Sequence, residues 1–128
     1  MTTTLTVGPV EPSRMELGVI GLGRMGRIVV DRALAGGHDV AAFDVDATAT
    51  AAAAEAGAEP AESPADLAER LDPEKRIWLM VPAGDPVDET LDALEGSLSA
   101  ADVVVDGGNS HFAASARRAE ACPAAYLD

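Results

Sequence analysis

Apolar and polar positions along the chain follow two periods in alternation. Short apolar runs occupy residues 16–21 (ELGVIG), 39–44 (DVAAFD), 76–81 (RIWLMV), 102–106 (DVVVD) and 124–127 (AAYL), the continuity expected of strands covered on both faces. Between them the spacing turns helical. Residues 24–36 set Met25, Ile28, Val29 and Ala33 on one face, and residues 85–98 set Val87, Leu91, Leu94 and Leu98 three and four apart. Gly36-Gly37 stops the first of these helices. The alanine-rich stretch 47–56 is a helix rather than a linker, because alanine is the strongest intrinsic helix former and Gly57 supplies a stop. Ser63-Pro64-Ala65-Asp66 combines a capping residue, a proline in the first turn and an acid, which predicts a short helix over 64–71; Asp85-Pro86 repeats the signal. Residues 112–121 are also helical in pattern. Strands alternating with helices predict a Rossmann-type α/β fold: one doubly wound parallel sheet in a single domain over 15–128, after a polar, flexible leader at 1–14.

Charge and cysteine usage narrow the partners. Asp and Glu number 22 against 9 Lys and Arg, a net charge of −13 spread along the chain, which argues against nucleic acid. Dispersed acid with one lysine and abundant alanine points to an acidic, halophile-like surface kept soluble at high salt. The single cysteine, Cys122, cannot form an internal disulfide and fits a reducing cytoplasm. Beside Pro123 it reads as structural, the nucleophile being the sharper alternative. No run is long and apolar enough for a membrane span, and residues 1–14 lack the basic start and apolar core of a signal peptide.

The chemistry gathers at strand ends. Gly21-Leu22-Gly23-Arg24-Met25-Gly26 is a GxGxxG placed where a strand ends and a helix begins. There Gly21 makes the turn, Gly23 admits a pyrophosphate to the backbone, and Gly26 lets the helix pack on the strand. Arg24 adds charge at that helix start, or is an ordinary surface arginine. Asp44 closes the second strand, where an acid accepts hydrogen bonds from the adenosine ribose. Residues 39–69 contain no Lys or Arg to pair a 2′-phosphate, so NAD is favoured over NADP. Val81, Pro82 and Ala83 end another strand. Asp106-Gly107-Gly108-Asn109-Ser110 ends the next, where Gly107, Gly108 and Asn109 would border the cofactor's reactive end, and Gly108, Asn109 and Ser110 a substrate. His111 beside that turn and His38 read as structural, substrate contact being the alternative for His111. Arg117 and Arg118 read as solvated helix charge, and Trp78 as core.

GLGRMG, LMVPAG and DGGNS, in that order and spacing, resemble the N-terminal domain of 6-phosphogluconate dehydrogenase, and Asp44 is similar to the acid of its NAD-preferring branch. The resemblance covers about residues 15–128. It implies an oxidoreductase of the pentose phosphate pathway that oxidises and decarboxylates 6-phosphogluconate to ribulose 5-phosphate. It also implies a sugar-acid phosphate as substrate, contact of Val81 with the cofactor, and contact of Asn109 with the sugar acid and nicotinamide region. In the family a glycine-rich loop, a catalytic lysine and glutamate, and a helical dimerising domain follow, so the full-length enzyme is expected to be a homo-oligomer. The chain is expected to be truncated before them and to hold no catalytic residue; Lys75, its only lysine, matches no catalytic position. A related 3-hydroxyacid dehydrogenase and a stand-alone NAD-binding module are the rival readings.

Overall fold

The computed structural model describes residues 14–108 and 112–127, apart from the side chains of residues 112 and 113. Six strands form one sheet: β1 (Glu16–Ile20), β2 (Asp39–Phe43), β3 (Glu59–Pro60), β4 (Arg76–Leu79), β5 (Val103–Asp106) and β6 (Ala125–Leu127). Every ladder is parallel. The order β3-β2-β1-β4-β5-β6 reverses direction between β1 and β4, which is where open sheets of this kind hold ligands. The helices are α1 (Arg24–Ala35), α2 (Ala47–Glu55), α3 (Pro64–Glu69), α4 (Asp85–Leu94) and α5 (Phe112–Ala121).

Period-two alternation in β1 feeds two cores. Leu17 and Val19 pack with Val30 of α1 and Ala53 of α2 on one side. Ile20 packs with Leu67 of α3 and with Val87 and Leu94 of α4 on the other. The doubly wound architecture predicted from the sequence is therefore present, and Gly37 and Gly57, both with positive φ, end the first two helices as expected. Half-buried Cys122 packs against the second core.

Three local expectations differ from the structure, and one strand goes unpredicted. The buried stripe of α1 is Gly26 and Val30, leaving Met25 60% and Ile28 40% exposed; close approach at Gly26 turns the contact face by one residue. Trp78 is no core residue. On β4 it alternates outward while Ile77 and Leu79 point in; α1 and α2 lie over β1 and β2 on its side, and Trp78 with its ladder neighbours Val105 and Leu127 lies beyond them. Helix α4 stops at Leu94, followed by a 3-10 turn at Glu95–Ser97 and an extended Leu98, and its cap is Gly84 rather than Asp85. The edge strand β3 carries no apolar signal because it consists of an exposed Glu and an exposed Pro.

Asp102, 2% exposed, ties the loop before β4 to the start of β5. It accepts hydrogen bonds from the Lys75 N–H at 2.7 Å and the Ser99 N–H at 2.8 Å. Burial pushes its carboxyl up, but these donors and the Lys75 charge outweigh burial and hold it below the ordinary carboxylate range. A carboxyl depressed in the folded state stabilises the protein above its unfolded pKa of about 3.9 and loses that contribution as pH falls through the folded value. Urea unfolding from pH 7 down to pH 3 is expected to show a steep acid limb. Asp102→Asn should lower stability at pH 7 and flatten that limb; an unchanged limb would exclude Asp102 as a contributor.

Candidate functional site

Three strand ends meet at the glycine turn. The Gly21 N–H donates to the Phe43 carbonyl at 2.9 Å, and the Met80 N–H donates to the Ile20 carbonyl at 2.7 Å, so β2, β1 and β4 are joined at their carboxyl edge. Gly21 has φ +99°, and a Cβ there would lie 2.6 Å from the Met80 carbonyl. A Cβ on Gly26 would overlap the Gly21 carbonyl oxygen. Gly23 differs from both: its φ is −69° and a Cβ there would meet nothing within 4 Å. Neither backbone conformation nor protein packing calls for glycine at 23.

Helix α1 starts at this turn without a side-chain cap and without an acid in its first turn. By contrast Asp46 caps α2, Ser63 caps α3, and α4 begins with Asp85 and Asp88. The first-turn N–H groups of α1 are thus left to an external acceptor, with the positive end of the helix dipole behind them.

Asp44 stands beside the turn. One carboxylate oxygen accepts the Leu22 N–H at 2.7 Å and the other accepts the Asp46 N–H at 2.8 Å. The Thr50 hydroxyl accepts the Asp44 N–H at 3.0 Å and donates to its carbonyl at 3.1 Å. The acid is therefore held in place before any ligand arrives, and an ionised carboxylate has about four lone-pair sites, so accepting capacity remains.

A cleft of about 970 Å³ opens along this edge, lined by Gly21, Gly23, Arg24, Met25, Gly26, Asp44, Val81, Pro82, Ala83, Gly107 and Gly108, among others. The residues singled out in the sequence thus converge, with exceptions. The Leu22 side chain is buried in the α1–α2 core and offers only its N–H, to Asp44. Asn109, Ser110 and His111 lie outside the described residues. Arg117 is largely exposed beside Asp88, whereas Arg118 is buried, contrary to its reading as solvated charge. His38 is structural as expected: its Nδ1 accepts the Met15 N–H at 3.0 Å.

The sequence reading missed Val45, Pro64, Pro86, Glu89 and Thr90 on the cleft wall. The signal was available, since in a parallel sheet each helix that follows a strand begins at the carboxyl edge, which places the starts of α3 and α4 there. Val45 is 94% exposed, an apolar side chain with no protein neighbour to cover it. Among the described residues no group of three or more His, Cys, Asp and Glu could hold a metal, and no helix is long and apolar enough to cross a membrane.

Strand order, glycine turn, uncapped helix start and the acid at the end of β2 define a dinucleotide-binding domain of Rossmann type. A family model described as the NAD binding domain of 6-phosphogluconate dehydrogenase matches residues 16–128, and the chain belongs to that family. It is 73% identical over 114 residues to the NAD(+)-dependent, decarboxylating 6-phosphogluconate dehydrogenase of Haloferax volcanii, covering 89% of this chain and 38% of that protein. It is 37% identical over 109 residues to the decarboxylating 6-phosphogluconate dehydrogenase of Bacillus licheniformis, covering 82% and 23%. The solved structure of Mycobacterium tuberculosis 3-hydroxyisobutyrate dehydrogenase shares the fold, with a TM-score of 0.78 at 23% identity over 89% of this chain and 39% of that one. The chain spans well under half the length of the curated relatives it matches.

Proposed function

We propose that this chain is the cofactor-binding part of an NAD-dependent 6-phosphogluconate dehydrogenase that oxidises and decarboxylates a sugar-acid phosphate. The observation that carries the reading is Gly23, a glycine that the fold does not need, at the mouth of an uncapped helix. A ligand whose pyrophosphate passes over residue 23 supplies the missing reason. The first turn of α1 would hold that pyrophosphate, with Arg24 adding charge. Asp44 would accept from the ribose hydroxyls while its other hydrogen bonds keep it aligned. Val81, Pro82 and Ala83 would flank the cofactor, and Gly107 and Gly108 would border its nicotinamide end. When bound, NAD supplies the hydride acceptor. The acid and base work on the substrate is assigned to residues beyond those described, the domain 15–128 being read as one part of a longer enzyme.

Preference for NAD follows from Asp44. A 2′-phosphate would bring about −2 charge against a carboxylate fixed in the same space. Among the described residues that line the cleft Arg24 is the only cation, and it stands at the α1 start. Calorimetric titration at high salt should show NAD binding more tightly than NADP. Asp44→Ala should weaken NAD by roughly 1–3 kcal/mol and narrow the difference between the two cofactors. Tighter NADP binding by the unaltered chain would remove the assignment of Asp44.

A further inference from the structure

Two loops form the wall of the cleft away from Asp44: residues 80–84 after β4 and residues 106–108 at the end of β5. They touch closely, and at Gly108 the facing backbone leaves no room for a side chain. A Cβ on Gly108 would lie 2.9 Å from the Val81 carbonyl, and one on Gly107 would overlap the Met80 sulfur. The Gly107 N–H donates to the Leu79 carbonyl at 2.9 Å, and the Gly108 N–H donates to an Asp106 carboxylate oxygen at 2.9 Å.

Behind this contact lies a buried polar chain. Asp106 is 2% exposed, and its other carboxylate oxygen accepts the Tyr126 hydroxyl at 2.7 Å. The Tyr126 hydroxyl stands beside Arg118, close enough for the guanidinium charge to act on it. Arg118, 4% exposed, crosses from α5 to the start of α4. Its guanidinium donates to the Asp88 carboxylate at 2.7 and 3.3 Å and to the Gly84 carbonyl at 3.1 Å. The chain thus begins on one loop, at Asp106, and ends on the other, at Gly84.

We propose that Arg118 and Tyr126 are positioning residues which, with Asp88 and Asp106, fix loops 80–84 and 106–108 against each other and so place the nicotinamide end of the cofactor. The proposal rests on the reading of the cleft as an NAD site. A buried arginine paired with a part-exposed carboxylate is a weak source of net stability, because desolvation of the guanidinium offsets much of the attraction. What it does supply is geometry: the planar guanidinium holds a carboxylate and a carbonyl at fixed angles. Protonation along the chain is equally fixed. The Asp88 hydrogen bond raises Arg118 and lowers Asp88 in pKa, while burial and the Asp106 hydrogen bond raise Tyr126, so each donor keeps its proton around neutral pH.

The test compares two ligands on the full chain. NADH and ADP-ribose share the adenosine, the pyrophosphate and the second ribose, but only NADH carries the ring that the two loops are proposed to place. Tyr126→Phe, which deletes one oxygen, and Arg118→Lys, which keeps the charge but not the fork, are titrated with both. Each variant is expected to lose about three- to tenfold in NADH affinity, the range of one or two hydrogen bonds, and to retain its ADP-ribose affinity. Equal losses for both ligands would mark the chain as merely structural and overturn the proposal. So would unchanged NADH binding in Tyr126→Phe, or an unaltered protein that binds NADH no more tightly than ADP-ribose. An unaltered protein that binds neither ligand would overturn the NAD reading itself, and the proposal with it. If Arg118→Lys does not fold, Tyr126→Phe alone decides the matter.

Discussion

Gly23→Ala is expected to leave the melting temperature almost unchanged while reducing NAD affinity by about tenfold or more. The stability half of the expectation follows from φ −69° and from the open space around the would-be Cβ. Replacing glycine where alanine fits gains about 0.4–1 kcal/mol through the unfolded chain, and alanine is a poorer helix cap than glycine by a similar amount. The binding half follows because a methyl group at 23 enters the space through which a pyrophosphate approaches the α1 N–H groups, and each lost charge-assisted hydrogen bond is worth roughly 1.5–3 kcal/mol. Gly26→Ala provides the contrast. Its Cβ overlaps the carbonyl oxygen of Gly21, a residue tied to β2 through its N–H. Overpacking of that kind costs about 1–3 kcal/mol, so this variant should melt several degrees lower and also bind poorly. Melting curves and calorimetry on the two proteins separate a glycine needed by the ligand from one needed by the fold. A Gly23→Ala protein that binds NAD normally would take away the observation on which the function rests.

What the sequence disclosed and what it withheld divide along a physical line. Apolar runs advertise strands by continuity, so Asp39–Phe43, buried on both faces at its centre, and Arg76–Leu79, with Trp78 facing outward, were both readable, and Ser63-Pro64 announced a helix start correctly. The turn at Gly21 and the acid at Asp44 were readable because a fixed mechanism ties those residue types to positions along the chain. The two-residue edge strand at Glu59–Pro60 was not, since an exposed edge needs no apolar pattern. Helical periodicity found α1 but placed its buried face one residue away, because the contact at Gly26 is made by the absence of a side chain. Arg118, read as solvated charge, was the deepest misreading. Nothing local distinguishes it from Arg117, and its contacts with Asp88 and Gly84 lie about thirty residues earlier in the chain. Asp106 was read as the end of a strand and the opening of DGGNS, and its carboxylate accepts the Tyr126 hydroxyl from the next strand. Long-range polar pairs of this sort have no period, whereas the hydrophobic core does.

The largest effect expected is an absence of turnover: the 128-residue chain should bind NAD yet fail to reduce it with 6-phosphogluconate. Hydride transfer from a secondary alcohol requires a base at the hydroxyl and a pocket closed against water. Among the described residues on the cleft wall the ionisable groups are Arg24, Asp44 and Glu89. A guanidinium such as that of Arg24 carries donors and no acceptor. Asp44 sits at the end of β2 and is engaged by the Leu22 and Asp46 N–H groups; Glu89 is exposed on α4. Loops 80–84 and 106–108, at the end where a substrate would lie, bring neither a lysine nor a glutamate to it. Absorbance of the reduced cofactor, followed with 6-phosphogluconate and NAD at saturating concentrations, should stay at background while calorimetry on the same sample reports cofactor binding. Sustained absorbance growth from this chain alone would show that a base has been overlooked. His111→Ala and Glu89→Gln would then identify it, whichever substitution abolished the signal without loosening NAD.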